Sequence, residues 1–173
     1  MAYNNTRKWT KEPSYTKWIE KVMKHRKKSR KSNKPDPQVD LCDSERGFCT
    51  GHKEIPRRLM PQIYNTRRFA RAIKRKYGIK SHMQMVRPDS LIPSQEEIKK
   101  SVVHKIGDAM AKGKYKDSPI VISKNKHVID GHHRWAARKK YAPTKKIRAL
   151  VVHKKAMDVL GVAAADGQPR ESF

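Results

Sequence analysis

The run Val128-Ile129-Asp130-Gly131-His132-His133-Arg134-Trp135-Ala136-Ala137 constrains this chain more than any other segment. Its apolar start reads as a short strand, its glycine as a turn, and its continuation as a helix beginning near His132. Val121 to Ser123 and His127 to Ile129 flank the turn Lys124-Asn125-Lys126, so Pro119 to Asp130 is expected to form a hairpin that delivers the backbone into that helix. A helix start offers free N–H groups and the positive end of the peptide dipoles, a glycine there lets a ligand approach closely, and an arginine can grip a phosphate through two donors. Gly131, His133 and Arg134 are therefore candidate phosphate- or nucleotide-binding residues. The plainer alternative is a strand-to-helix turn with solvated His and Arg side chains.

Charge narrows the choice of partner. The 173 residues include 42 Lys and Arg against 16 Asp and Glu, a formal net charge of +26. Such a chain repels itself unless an acidic polymer supplies counter-charge, so nucleic acid is the expected partner, with DNA first and RNA open. An anionic membrane surface is the rival. The basic residues fall in blocks. One is an N-terminal arm over 1–38 with Lys24, Arg26, Lys27, Lys28, Arg30 and Lys31; a second is a helix over 61–77, ended by Gly78, with Arg67, Arg68, Arg71, Lys74 and Arg75; a third follows the motif and includes Arg138 and Lys139. Residues 81–123 are close to neutral, which suggests that the three blocks form one anion track.

The remaining pattern gives the organisation. Residues 14–30 can form an amphipathic helix, and 31–38, with Pro35 and Pro37, reads as a linker. A Cys-containing loop and the basic helix occupy 39–80. Strands are expected near 83–86, 119–123, 127–130 and 147–152. Ser94 and Glu97 have the spacing of a capping box for a helix reaching Lys112, with Ile98, Val102, Ile106 and Met110 on its buried face. A short closing helix over 154–160 and a loose tail over 161–173 complete the chain. The expected fold is α/β: a small mixed sheet with packed helices over 81–160, plus a basic N-terminal extension.

Cys42, Cys49 and His52, with Asp40 or Asp43 nearby, offer a zinc ligand set, but six residues between the cysteines is not a knuckle spacing, and a loop with buried thiols is the favoured reading. There is no apolar leader and no run of 18 apolar residues, so neither secretion nor membrane spanning is expected.

Asp130-Gly131-His132-His133-Arg134-Trp135-Ala136-Ala137, preceded by Leu91-Ile92-Pro93-Ser94-Gln95 and Pro119-Ile120-Val121-Ile122-Ser123, resembles the ParB/sulfiredoxin-like superfamily, in particular its phage and plasmid "ParB-like nuclease" branch. The resemblance covers residues 83–160, and Ile55-Pro56-Arg57 with Met60-Pro61-Gln62-Ile63 is similar to the lead-in of phage members. It implies a phage protein in the host cytoplasm or the virion. Sulfiredoxins carry Gly-Cys-His-Arg with a cysteine nucleophile where this chain has His132, which turns the expectation away from sulfinic acid repair. Chromosomal ParB proteins carry Gly-Glu-Arg-Arg for CTP, and what both relatives imply here is phosphate binding at Gly131 and Arg134. Related free-serine kinases place a catalytic carboxylate where this chain has Glu96, beside Gln95 as a further nucleotide contact.

Three functions follow as expectations. The favoured one is phosphodiester hydrolysis of DNA, with Arg134 and the helix start stabilising phosphate charge, His132 or His133 moving a proton, and Asp130 orienting a histidine or holding Mg²⁺. A second is phosphoryl transfer from ATP or another nucleotide with Glu96 as base. A third is DNA or virion binding with no chemistry.

Overall fold

The computed structural model describes residues 38–40, 55, 57–95 and 97–166. Among the described residues seven strands and four helices follow one another: β1 (Gln38–Asp40), α1 (Thr66–Tyr77), β2 (Ser81–Val86), β3 (Ile92–Pro93), β4 (Glu97–Lys99), α2 (Lys100–Ala111), β5 (Ile120–Ser123), β6 (His127–Asp130), α3 (His132–Tyr141), β7 (Ile147–Val152) and α4 (Ala156–Asp166). Short 3-10 turns occupy Arg57–Leu59 and Pro88–Ser90. The main sheet has the order β2-β7-β5-β6-β3. Its pairings alternate antiparallel, parallel, antiparallel and parallel, so the sheet is mixed. A separate antiparallel ribbon joins β1 to β4.

Both faces of the sheet are covered, which is why its inner strands are apolar without alternation. Val121, Ile129, Leu150 and Val152 pack against Phe69 and Ile73 of α1 and against Val159, Leu160, Val162 and Ala163 of α4. Ile120, Ile122, Val128, Ala149 and Val151 face Val103, Trp135 and Ala137 on the α2 and α3 side. Trp135 is fully buried, and its indole Nε1 donates to the Pro88 carbonyl at 2.8 Å, so the helix that follows the motif is fixed by one large apolar side chain with its polar atom satisfied.

The expected α/β fold is the observed one. The hairpin into α3 and the 147–152 strand fall where the apolar pattern puts them, and α1 ends at Gly78 in the left-handed conformation (φ 67°). Three expectations are corrected. Ser94 does not cap a helix: it is buried, its hydroxyl donates to the Val128 carbonyl, and α2 starts only at Lys100, after β4. The buried residues of α2 are Val103 and Gly107, with Ile106 and Met110 half-buried, while Ile98 sits in the core from β4. The chain also does not loosen at residue 161, since α4 runs to Asp166 and buries Gly161, Val162 and Ala163 against the sheet. Residues 55–79 share a core with 121–163, so the described part of the expected 39–80 unit packs with the main fold.

Candidate functional site

Gly131 is the hinge of the site. It adopts φ 94°, ψ 26°, and a Cβ there would stand 2.6 Å from Ile120 Cγ2 and 2.8 Å from Arg134 Nη2. Only a residue without a side chain accepts both that backbone and the guanidinium lying against its Cα. Arg134 is held in place by Asp130, four residues back, with Nη2 to Oδ2 at 3.0 Å, while its Nε is buried without a hydrogen-bond partner. Gly131 is the N-cap of α3 and has no side chain with which to cap it, and no acidic residue lies in the first turn.

Asp130 is nearly enclosed. Burial raises its carboxyl above the ordinary range, opposed by the Arg134 guanidinium and by the nearby backbone amides of Ile63 and Gly131. The carboxylate thereby ties three things together: the arginine, the start of α3 and the segment leading to α1.

The two histidines turn their Nε2 atoms to the backbone of residues 94–99. His132 is 3% exposed, and its Nε2 accepts the backbone N–H groups of Ser94 and Gln95, each at 3.2 Å. His133 Nε2 accepts the N–H of Lys99 at 2.9 Å. Backbone N–H groups only donate, so each Nε2 is unprotonated and each ring carries its proton on Nδ1. In this arrangement neither ring has a lone pair free to take a proton from water.

Asp130, Gly131, His132, His133, Arg134 and Gln95 line one cleft of about 310 Å³. The structure thus brings the motif residues and Gln95 together. It adds Arg57, Gln62 and Tyr64, which sequence reasoning assigned no role; the lead-in run around them was noticed, but nothing local in it points at residue 130. An adjoining cleft of about 680 Å³ shares Gln62, Ile63 and Tyr64 and is lined further by Arg68, Arg71 and Arg75 of α1. Arg67, Arg68, Arg71, Lys74 and Arg75 are all exposed. Arg67 and Arg68 stand in the first turn of α1 with no acidic residue among them, where cations oppose the helix dipole. Their placement disfavours the isolated helix and suits an anion against it.

Arg138 requires a correction. It was expected on the nucleic-acid track, but it is 8% exposed, with Nη2 3.2 Å from Asp117 Oδ1 and its guanidinium 5.5 Å from the centre of the Tyr115 ring. A side chain so engaged holds the 115–117 loop to α3. Lys139 is half-buried with Nζ 5.6 Å from the centre of the Trp135 ring, and burial lowers its pKa. Lys24, Arg26, Lys27, Lys28, Arg30, Lys31, Cys42, Cys49, His52 and Glu96 lie outside the described residues. Among the described residues no three His, Cys, Asp or Glu side chains converge as a metal site. No helix among them is long and apolar enough to cross a membrane.

Fold and cleft together define a mixed-sheet α/β protein with a polar cleft at a strand-glycine-helix junction, flanked by a basic helix. No protein-family model matches the chain, and no curated protein matches it. Among solved structures it is similar to a Pnob8-like ParB-N domain, at 14% identity and a TM-score of 0.35, over 45% of this chain. The aligned part spans about a third of that chain, 32%.

Proposed function

We propose that this protein binds nucleic acid and seats one of its phosphates in the cleft at the start of α3. The observation that carries this reading is Arg134: a guanidinium tethered by Asp130 against the Cα of Gly131, its Nε without an acceptor, at a helix start whose N-cap is that glycine. A phosphate would accept from the arginine and from the helix N–H groups together. The adjoining cleft with Arg68, Arg71 and Arg75 supports a polymer over a small anion, because a strand entering it would carry further phosphates along α1.

DNA hydrolysis and phosphoryl transfer from a nucleotide are the finer readings of the same cleft. Both need a base. While His132 and His133 each accept a backbone N–H at Nε2, neither supplies one, and binding requires none. Geometry therefore favours binding over hydrolysis by a histidine base, with the histidines positioning the cleft wall.

The test is a titration of labelled DNA against wild type and Arg134→Ala, alongside incubation of supercoiled plasmid with Mg²⁺. Loss of one charge-assisted contact should weaken binding about 10- to 100-fold. The plasmid should stay intact. Unchanged affinity in the variant would overturn the phosphate site, and nicking that disappears in His133→Ala would establish hydrolysis instead.

A further inference from the structure

Tyr64 is the most exposed large apolar or aromatic side chain among the described residues, at 72%, yet it does not stand on a loose loop. Its neighbour Ile63 is buried in the core, with its backbone amide beside Asp130. Its other neighbour, Asn65, caps α1, with Oδ1 accepting the N–H of Arg68 at 2.9 Å. An aromatic ring is thus held out in solvent by a backbone anchored on both sides. Packing does not account for it. It stands at the border shared by the two clefts, with Arg134 in one and Arg68, Arg71 and Arg75 in the other. The acidic residue of the larger cleft, Asp166, is already paired with Lys76.

The geometry points to a base platform: we propose that Tyr64 stacks an unpaired base of single-stranded nucleic acid whose backbone crosses from the arginines of α1 to the cleft at α3. The proposal rests on the phosphate reading above for the course of the strand, and adds the kind of nucleic acid. In a duplex the base faces are already stacked on one another, so a ring beside the phosphate track gains nothing from them. A single strand offers those faces, and a preset ring loses little freedom on stacking. The flanking arginines supply the counter-charge that brings the strand to it.

The experiment is an anisotropy titration at fixed salt with fluorescent oligothymidine, an abasic strand of equal length, and a duplex, each against wild type, Tyr64→Phe and Tyr64→Ala. Stacking of one base predicts that Tyr64→Ala binds oligothymidine about 5- to 100-fold more weakly, that Tyr64→Phe binds as wild type does, and that the abasic strand and duplex do not distinguish the three. Equal binding of oligothymidine by wild type and Tyr64→Ala overturns the proposal, as does an equal loss on the abasic strand or duplex. Arg134→Ala separates the two claims. If it weakens all three ligands while Tyr64→Ala is silent, the phosphate site stands and the platform fails; if it is silent while Tyr64→Ala weakens oligothymidine alone, the platform stands and the phosphate site fails.

Discussion

His132 Nε2 and the backbone N of Ser94, 38 residues apart in sequence, lie 3.2 Å from one another in the buried wall of the cleft. The same nitrogen accepts from Gln95, and His133 repeats the device on Lys99, so two adjacent histidines at the start of α3 hold the segment between β3 and α2 in place. His132→Ala would leave two backbone N–H groups without their acceptor. It should cost about 2–6 kcal/mol of stability, since each buried donor left unpaired costs roughly 1–3 kcal/mol. Urea unfolding measures this, and a variant as stable as wild type would remove the stapling role.

Gly131→Ala tests the hinge. The new methyl would meet Ile120 and Arg134 at a positive φ, so a loss of about 1–3 kcal/mol is expected from overpacking, with strain adding to it. Displacing the guanidinium should weaken phosphate binding as well. Thermal melting and the DNA titration report the two effects separately.

Asp130 gives the fold a pH dependence with a defined sign. Its carboxyl is raised above the ordinary value of 3.8, chiefly by burial. Between the ordinary and the raised value the folded state keeps a proton that the unfolded state has released, so this contribution favours folding on the acid side and fades as pH rises through the raised value. Asn cannot titrate. The melting temperature of wild type relative to Asp130→Asn should therefore fall across that window, and a difference that grows with pH would contradict the assignment.

Arg138 and Arg71 should behave oppositely, although both are arginines on helices. Arg138→Ala breaks a mostly buried contact with Asp117 and Tyr115 and should lower stability with little effect on DNA affinity. Arg71→Ala, on the exposed face lining the larger cleft, should leave melting unchanged and reduce the salt dependence of binding by about one ion. Melting curves and a salt series distinguish them.

The contrast also shows how far the sequence could be read. Strand, glycine and helix at 128–137 are local: apolar runs, a turn residue and helical spacing suffice, and the structure follows them. The capping box at Ser94 failed because the N–H groups of that segment find their acceptors on imidazoles 34 to 38 residues away, which no local spacing displays. The run Gly161-Val162-Ala163 reads as loose because it is small, yet small side chains are what let α4 lie close on the sheet. Arg138 sits one helical turn beyond Arg134, so helical phase alone assigns it to the motif face; Asp117 and Tyr115, which bury it, arrive from a distant loop. For the cleft, sequence supplied the α3 side and missed the wall built by Arg57, Gln62 and Tyr64.

The measurement that bears most directly on the phosphate site is an NMR titration of inorganic phosphate into ¹⁵N-labelled protein. The amides of Gly131, His132, His133 and Arg134 should shift together and saturably in wild type, with those of the α1 arginines moving less, and the response at residues 131–134 should collapse in Arg134→Ala. Shifts spread over the exposed lysines with none at the start of α3, or an unchanged titration in the variant, would contradict it.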